Sequence, residues 1–172
     1  CLAAICDLNG ILRGKRIAAA KMSSLLERGI RMPMSSIGVD IWGTDVAGTR
    51  LTMERGDLDG ICLPTGRAML SLGWAGSDVP LLPLSMWKED GSPYYADARH
   101  LLAAVLARWE ARALRPVVAT ELEFYLLEPG GPPAPAVFGP GSTEGGFDHI
   151  YSLAELDTAG AFLDDVYRMA ES

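Results

Sequence analysis

Pro116-Val117-Val118-Ala119-Thr120-Glu121-Leu122-Glu123-Phe124-Tyr125-Leu126-Leu127 reads as a buried strand that carries two carboxylates. β-Branched and aromatic residues fill it, Pro116 opens it and Glu128-Pro129-Gly130-Gly131 closes it, which favours a strand of about eight to ten residues. Alternation places Glu121, Glu123 and Tyr125 on one face and Thr120, Leu122 and Phe124 on the other. Carboxylates at i and i+2 of a strand stand about 6–7 Å apart. At an effective dielectric of about 20 they repel by about 2 kcal/mol. An interior-facing pair therefore needs a proton, a basic partner or a cation. A divalent metal suits it, because hard cations take carboxylate oxygens. The competing reading is an edge strand with a solvated acidic face, and the pattern alone leaves both open.

Upstream, Asp97 has the chemistry of an N-cap for a helix from Ala98 to Ala113, in which Leu101, Leu102, Val105, Leu106 and Trp109 recur at helical spacing. Downstream, the Gly- and Pro-rich stretch 129–146 predicts a long loop without regular structure. Phe147–Leu153 reads as a short strand, and residues 161–172 read as an amphipathic helix with no capping glycine after it. The chain starts at Cys1 inside a strand-like run and without an initiator Met. Both ends lead us to expect a piece of a longer protein.

Toward the N-terminus, Leu2–Cys6 and Ile11–Ile17 flank the turn Asp7-Leu8-Asn9-Gly10 and predict a β-hairpin. Ala18–Arg28 reads as a helix with Ala20, Leu25 and Leu26 on its apolar side and Gly29 closing it. Further strand candidates are Ser36–Trp42, Arg50–Glu54, Gly60–Pro64 and Val79–Trp87, the last with prolines that suggest an edge position. These elements predict a small α+β sheet domain. Its boundary is expected in the turn-rich run Trp87–Pro93, giving domains 1–93 and 94–172.

Composition narrows the function classes. The chain has 172 residues, 49% of them apolar and 22% charged, which is enough to bury a core and too apolar for disorder. A formal charge of −7 with no local Lys/Arg cluster to offset it gives no support for nucleic-acid binding. No apolar run approaches the roughly 18 residues that span a bilayer, so no membrane partner is expected. Cys1, Cys6 and Cys62 do not form an even disulfide framework and read as small buried thiols of a reducing cytoplasm. With only His100 and His149, no zinc spacing can be assembled. Neither a P-loop nor a dinucleotide fingerprint is present. By themselves, His100 reads as structural, Asp57 and Asp59 as turn caps, and Arg13, Lys15 and Arg16 as a solvated strand face.

In order and spacing, Asp7-Leu8-Asn9-Gly10, Arg13-Gly14-Lys15, Asp40-Ile41-Trp42, Gly56-Asp57-Leu58-Asp59-Gly60 and Thr120-Glu121-Leu122-Glu123-Phe124 resemble the glutamine synthetase family. The similarity is closest to its γ-glutamylpolyamine synthetase-like branch and runs from about residue 2 to 172. It implies an N-terminal β-grasp domain over 1–93, then the first helix-strand elements of the catalytic α/β barrel domain over 94–172, truncated. It also implies an ATP-dependent ligase that phosphorylates the γ-carboxylate of glutamate and lets an amine displace phosphate, with two Mg²⁺ or Mn²⁺ ions neutralising charge. The metal ligands of the family's E-x-E strand carry onto Glu121 and Glu123, and the acidic position of its N-terminal loop onto Asp59. The family forms rings in which that loop reaches a neighbouring subunit's site.

One departure bears on the acceptor. Ammonia-using members carry Asp-Gly-Ser-Ser where this chain has Pro33-Met34-Ser35-Ser36, and proline can neither bind a cation nor accept a proton. That favours a primary amine or polyamine over ammonia. Ordinary glutamine synthetase is the alternative within the class, and a non-catalytic β-grasp interaction module the alternative outside it. An acid–base pair of a glycosidase is disfavoured, because i, i+2 carboxylates share a face instead of flanking a bond. The remaining metal, nucleotide and glutamate ligands are expected beyond Ser172, so the 172-residue polypeptide by itself is expected to be inactive.

Overall fold

Asp7 ends the first strand and Gly10 (φ +82°) turns the chain back, so the N-terminal hairpin forms as the sequence predicts: β1 (Leu2–Cys6) pairs antiparallel with β2 (Leu12–Arg16). The computed structural model describes residues 1–49, 51, 56–73, 76–134, 136 and 152–171. It has two compact units, Cys1–Pro116 and Val117–Ser172.

In the first unit a 3-10 turn (Ala19–Lys21) leads into α1 (Met22–Arg28), which ends at Gly29. Gly29 donates its N–H to the Leu25 carbonyl at 2.9 Å with φ +68°. A Cβ here would come within 2.3 Å of the Cys62 carbonyl oxygen, so glycine is what lets the chain turn from α1 into the sheet. There follow β3 (Ile30–Pro33), β4 (Asp59–Pro64), β5 (Leu70–Leu72) and β6 (Ser77–Trp87). They form a mixed six-stranded sheet of order β2-β1-β6-β4-β3, with β5 also on β6. The β1–β6 pairing is parallel and the others are antiparallel.

The long strand β6 is therefore central, contrary to the edge position its prolines suggested. Each proline falls where the ladder is already interrupted. Pro83 accepts from Thr65 N–H at 3.1 Å, just past the end of β4 at Pro64, so its missing donor costs only a terminal rung. Pro80 lies where the β5–β6 register shifts between the Leu70↔Leu81 and Leu72↔Ser77 pairs. The sheet curls strongly: Lys15 Nζ on one edge strand donates to the Arg31 carbonyl on the other at 2.8 Å.

The core lies on one face, where Ala3, Ile5, Met32, Cys62, Leu82, Leu84 and Met86 meet Leu25 of α1, Ile37, Tyr94 and Ala96. Each large apolar side chain buried there contributes about 1.5–3 kcal/mol. Burial pushes the Cys62 thiol up to about 12, with the Asp97 carboxylate adding to the shift, so it behaves as an inert core group.

β3 was not among the predicted strands, and the strand predicted over Ser36–Trp42 does not form. Met34–Ile37 is a 3-10 turn instead, followed by a turn-rich loop with an isolated bridge between Val39 and Asp45. Local bonds win here: Ser36 Oγ donates to the Pro33 carbonyl at 2.6 Å and Gly38 N–H to the Ser35 carbonyl at 3.0 Å. The predicted strand Arg50–Glu54 falls, except for Leu51, outside the described residues.

α2 (Ala98–Glu110) starts on its predicted cap, Asp97. Its apolar stripe stays exposed, and the turn before it ties back to β6. The first compact unit runs to Pro116, so the contacts of the sheet continue past the expected boundary at 93.

In the second unit α3 (Leu153–Thr158) and α4 (Gly160–Glu171) follow one another, and the Phe162 ring meets Phe124 edge-on at 6.0 Å. Leu153, expected at the end of a strand, begins a helix, while Phe147–Tyr151 lie outside the described residues, as does most of 129–146. The strand expected over 116–127 is absent. Residues 117–126 have no regular structure, and Val117, Leu122 and Tyr125 are 83–93% exposed. A strand must share its backbone groups with a neighbour, and among the described residues no strand pairs with this segment.

Candidate functional site

The chain brings together two of the stretches that the sequence singled out. β3 and β4 pair so that Pro33 lies opposite Asp59. Past that pair Met34 N–H donates to the Leu58 carbonyl at 2.9 Å, and Ser35 Oγ donates to Asp57 Oδ1 at 2.8 Å. The Pro33–Ser36 segment and the Asp57–Asp59 segment thus form one bonded ledge. An exposed carboxylate, Asp59, stands across the strand pair from the proline that has none. Asp57 is held by Ser35, and the exposed Asp59 carboxylate lies near enough to the Arg31 guanidinium to favour its charge.

At the end of β1 sits a buried carboxylate that sequence reasoning did not single out. Asp7 has no exposed side-chain surface. Its Oδ1 accepts from the Asn9 and Ile11 N–H groups at 2.9 and 2.8 Å, and its Oδ2 from Arg13 Nε at 2.9 Å. Arg13 is thereby a half-buried ion-pair partner and not the solvated strand residue expected, while Lys15, which bridges the sheet edges, and Arg16 stay exposed. The detectable signal was the turn Asp7-Leu8-Asn9-Gly10 with an arginine six residues after the aspartate.

Desolvation raises the Asp7 pKa, but the Ile11 N–H, Arg13 and the Asn9 N–H together outweigh it and hold the carboxyl below its ordinary value. A folded pKa below the unfolded one gives stability that is present above the unfolded value and is lost as pH falls through the folded one. The urea midpoint of the chain is therefore expected to fall from about pH 5 to about pH 3 more steeply than that of Asp7→Asn. Parallel curves would sink this assignment.

Glu121 and Glu123 belong to the other unit, in the exposed, irregular segment 117–126. Their oxygens are the donor type a hard divalent cation takes. Among the described residues no three His, Cys, Asp or Glu side chains converge to hold a metal. His100 is structural, as expected: its Nε2 lies 2.8 Å from the Met86 carbonyl and its ring meets Trp87 edge-on at 4.4 Å. Donation to a carbonyl places the imidazole proton on Nε2.

No protein-family model matches the chain. It is 32% identical over 170 residues to the γ-glutamylputrescine synthetase of Escherichia coli, covering 96% of this chain and 36% of that protein. It is 32% identical over 138 residues to the glutamine synthetase of Mycolicibacterium smegmatis, covering 76% of this chain and 28% of that protein. Two solved structures share the fold: a glutamine synthase homologue (TM-score 0.55, 21% identity, 64% of this chain and 26% of that one) and GmaS in complex with ADP (TM-score 0.50, 23% identity, 64% and 23%). The resemblance to the glutamine synthetase family carried by the motifs is thus shown by the relatives: this chain is homologous to a partial, N-terminal region of such synthetases. It spans about a third of the length of the curated relatives. Among the described residues no helix is long and apolar enough to cross a membrane.

Proposed function

We propose that this chain is the N-terminal part of a cytoplasmic, ATP-dependent carboxylate–amine ligase that joins the γ-carboxylate of glutamate to a primary amine. The observation that carries the reading is the match of 96% of this chain to 36% of a γ-glutamylputrescine synthetase, with Asp59 set opposite Pro33. On this reading residues 1–93 are the β-grasp domain and 94–172 the start of the catalytic barrel, with the neighbour GmaS, solved with ADP, in support of nucleotide use.

The γ-phosphoryl group of ATP passes to the glutamate γ-carboxylate, giving ADP and an acyl phosphate. The amine nitrogen then attacks the acyl carbon, phosphate leaves, and the nitrogen gives up a proton. On this reading Asp59 binds the cationic amine in a neighbouring subunit's site of a ring assembly and takes a proton from it before attack, which frees the nitrogen lone pair; the proton lost after attack leaves with the phosphate. Pro33 offers an apolar wall where an ammonia-using enzyme has an aspartate, which suits an alkyl chain better than ammonium. Glu121 and Glu123 would supply two ligands for Mg²⁺ or Mn²⁺, which when bound would neutralise phosphate charge.

The test is turnover by the complete ligase polypeptide. Glutamate-dependent phosphate release from ATP is expected with a diamine such as putrescine, and at lower kcat/KM with ammonia. Release with ammonia alone would return the protein to the ordinary glutamine synthetases. No release with any amine, together with intact assembly, would leave the non-catalytic interaction module.

A further inference from the structure

The buried Asp7 is used by nothing in the proposed reaction, yet its turn reaches toward the ledge that carries Asp59. Leu8 N–H donates to the Ile37 carbonyl at 3.1 Å, Asn9 Nδ2 donates to the Val39 carbonyl at 2.7 Å, and Arg13 Nη2 reaches the Asp40 carbonyl at 3.4 Å. The hairpin, two residues from its turn and Arg13 from β2, therefore grips three of the four residues Ile37–Asp40 by their carbonyls. Ile37 is fully buried and closes the Met34–Ile37 turn, whose Ser35 holds Asp57 and whose Met34 holds Leu58. Beyond the grip, the Asp40 carboxylate accepts from the Trp42 and Thr44 N–H groups at 2.8 and 2.9 Å and fixes a loop whose Trp42 is 85% exposed.

We infer that Asp7, Asn9 and Arg13 are positioning residues that set the Pro33–Asp45 segment, and through it the Asp57–Asp59 ledge, for the amine acceptor. This rests on the ligase reading above. The set is built for rigidity: the carboxylate is fully desolvated and accepts three charge-compatible bonds, so the turn has one arrangement, and the segment it grips inherits that arrangement. None of the three touches the reacting atoms. Their effect travels through backbone carbonyls to Asp59.

Asn9→Ala is the informative variant, because it deletes the 2.7 Å bond to Val39 and leaves the buried ion pair intact. Two readouts are needed. In the 172-residue chain, hydrogen exchange at the Trp42 and Thr44 amides is expected to quicken by about tenfold while amides of β1 and β6 stay as in the wild type. In the complete ligase, the KM for the amine is expected to rise about tenfold, with kcat and the KM for ATP within about twofold. Arg13→Lys, which keeps a cation beside Asp7, is expected to lie between the wild type and Arg13→Ala in both readouts.

Unchanged exchange in Asn9→Ala overturns the clamp. Faster exchange with an unchanged amine KM overturns the positioning role. Equal losses in the KM for ATP and for the amine point to general damage and overturn it as well. A wild-type ligase that turns over no amine removes the ligase reading, and with it the amine half of this inference. The exchange result would still decide whether the turn holds the loop.

Discussion

Asp97→Ala is expected to cost the chain about 3 kcal/mol of stability. Its side chain is 2% exposed and does two jobs at once: Oδ1 accepts from Arg99 N–H at 2.9 Å and caps α2, while Oδ2 accepts from Met86 N–H at 2.7 Å on the central strand. Loss of the cap costs about 1 kcal/mol. The Met86 N–H is left buried without a partner, which costs about 2 kcal/mol more. Urea unfolding should shift by about 1.5 M, given a slope of about 2 kcal/mol per molar. Asp97→Ser separates the two jobs. One hydroxyl can restore the cap but cannot also reach Met86, so Ser should recover about 1 kcal/mol. A serine variant as stable as the wild type would show that the Met86 bond contributes nothing.

The second large effect follows from the proposed metal role. In the complete ligase, Glu121→Gln is expected to lower glutamate-dependent phosphate release by about 10³-fold in kcat/KM, with partial recovery at raised Mn²⁺. Glu123→Gln should behave alike. Ligands of one cation act as a unit, so the double variant should fall little below either single one. A Glu121→Gln enzyme within about threefold of the wild type, with no change in metal dependence, would remove these residues from the site and leave the pair as a solvated acidic segment.

How much of this was legible depended on the range of the forces involved. Asp97 was readable as an N-cap because capping needs only the next two residues. Its second bond, to Met86 eleven residues earlier, was not, because nothing in local spacing says which strand lies behind the helix. Asp7 followed the same rule: the turn was evident, the ion pair with Arg13 was not. The prolines of β6 misled because they are disfavoured in central strands in general, whereas here they coincide with the end of β4 and with a register shift. The E-x-E segment was the reverse case, a clear strand pattern with no strand beside it among the described residues.

The sequence by itself determined the hairpin, α1 with its glycine stop, the capped α2 and, through the order of its motifs, the kinship with glutamine synthetases. Each of these rests on neighbours a few residues apart or on a pattern along the chain. Only the tertiary structure decided that β6 is central, that the sheet curls until Lys15 reaches Arg31, and that Pro33 and Asp59 stand opposite one another. Strand pairing joins residues 26 positions apart in that last case, and its register is set by which side chains can share one buried face. The reading of residues 116–127 shows the same dependence from the other side. Glu121 and Glu123 have the right chemistry in the right order, but a strand is a property of two chain segments, and one segment's composition cannot supply the second.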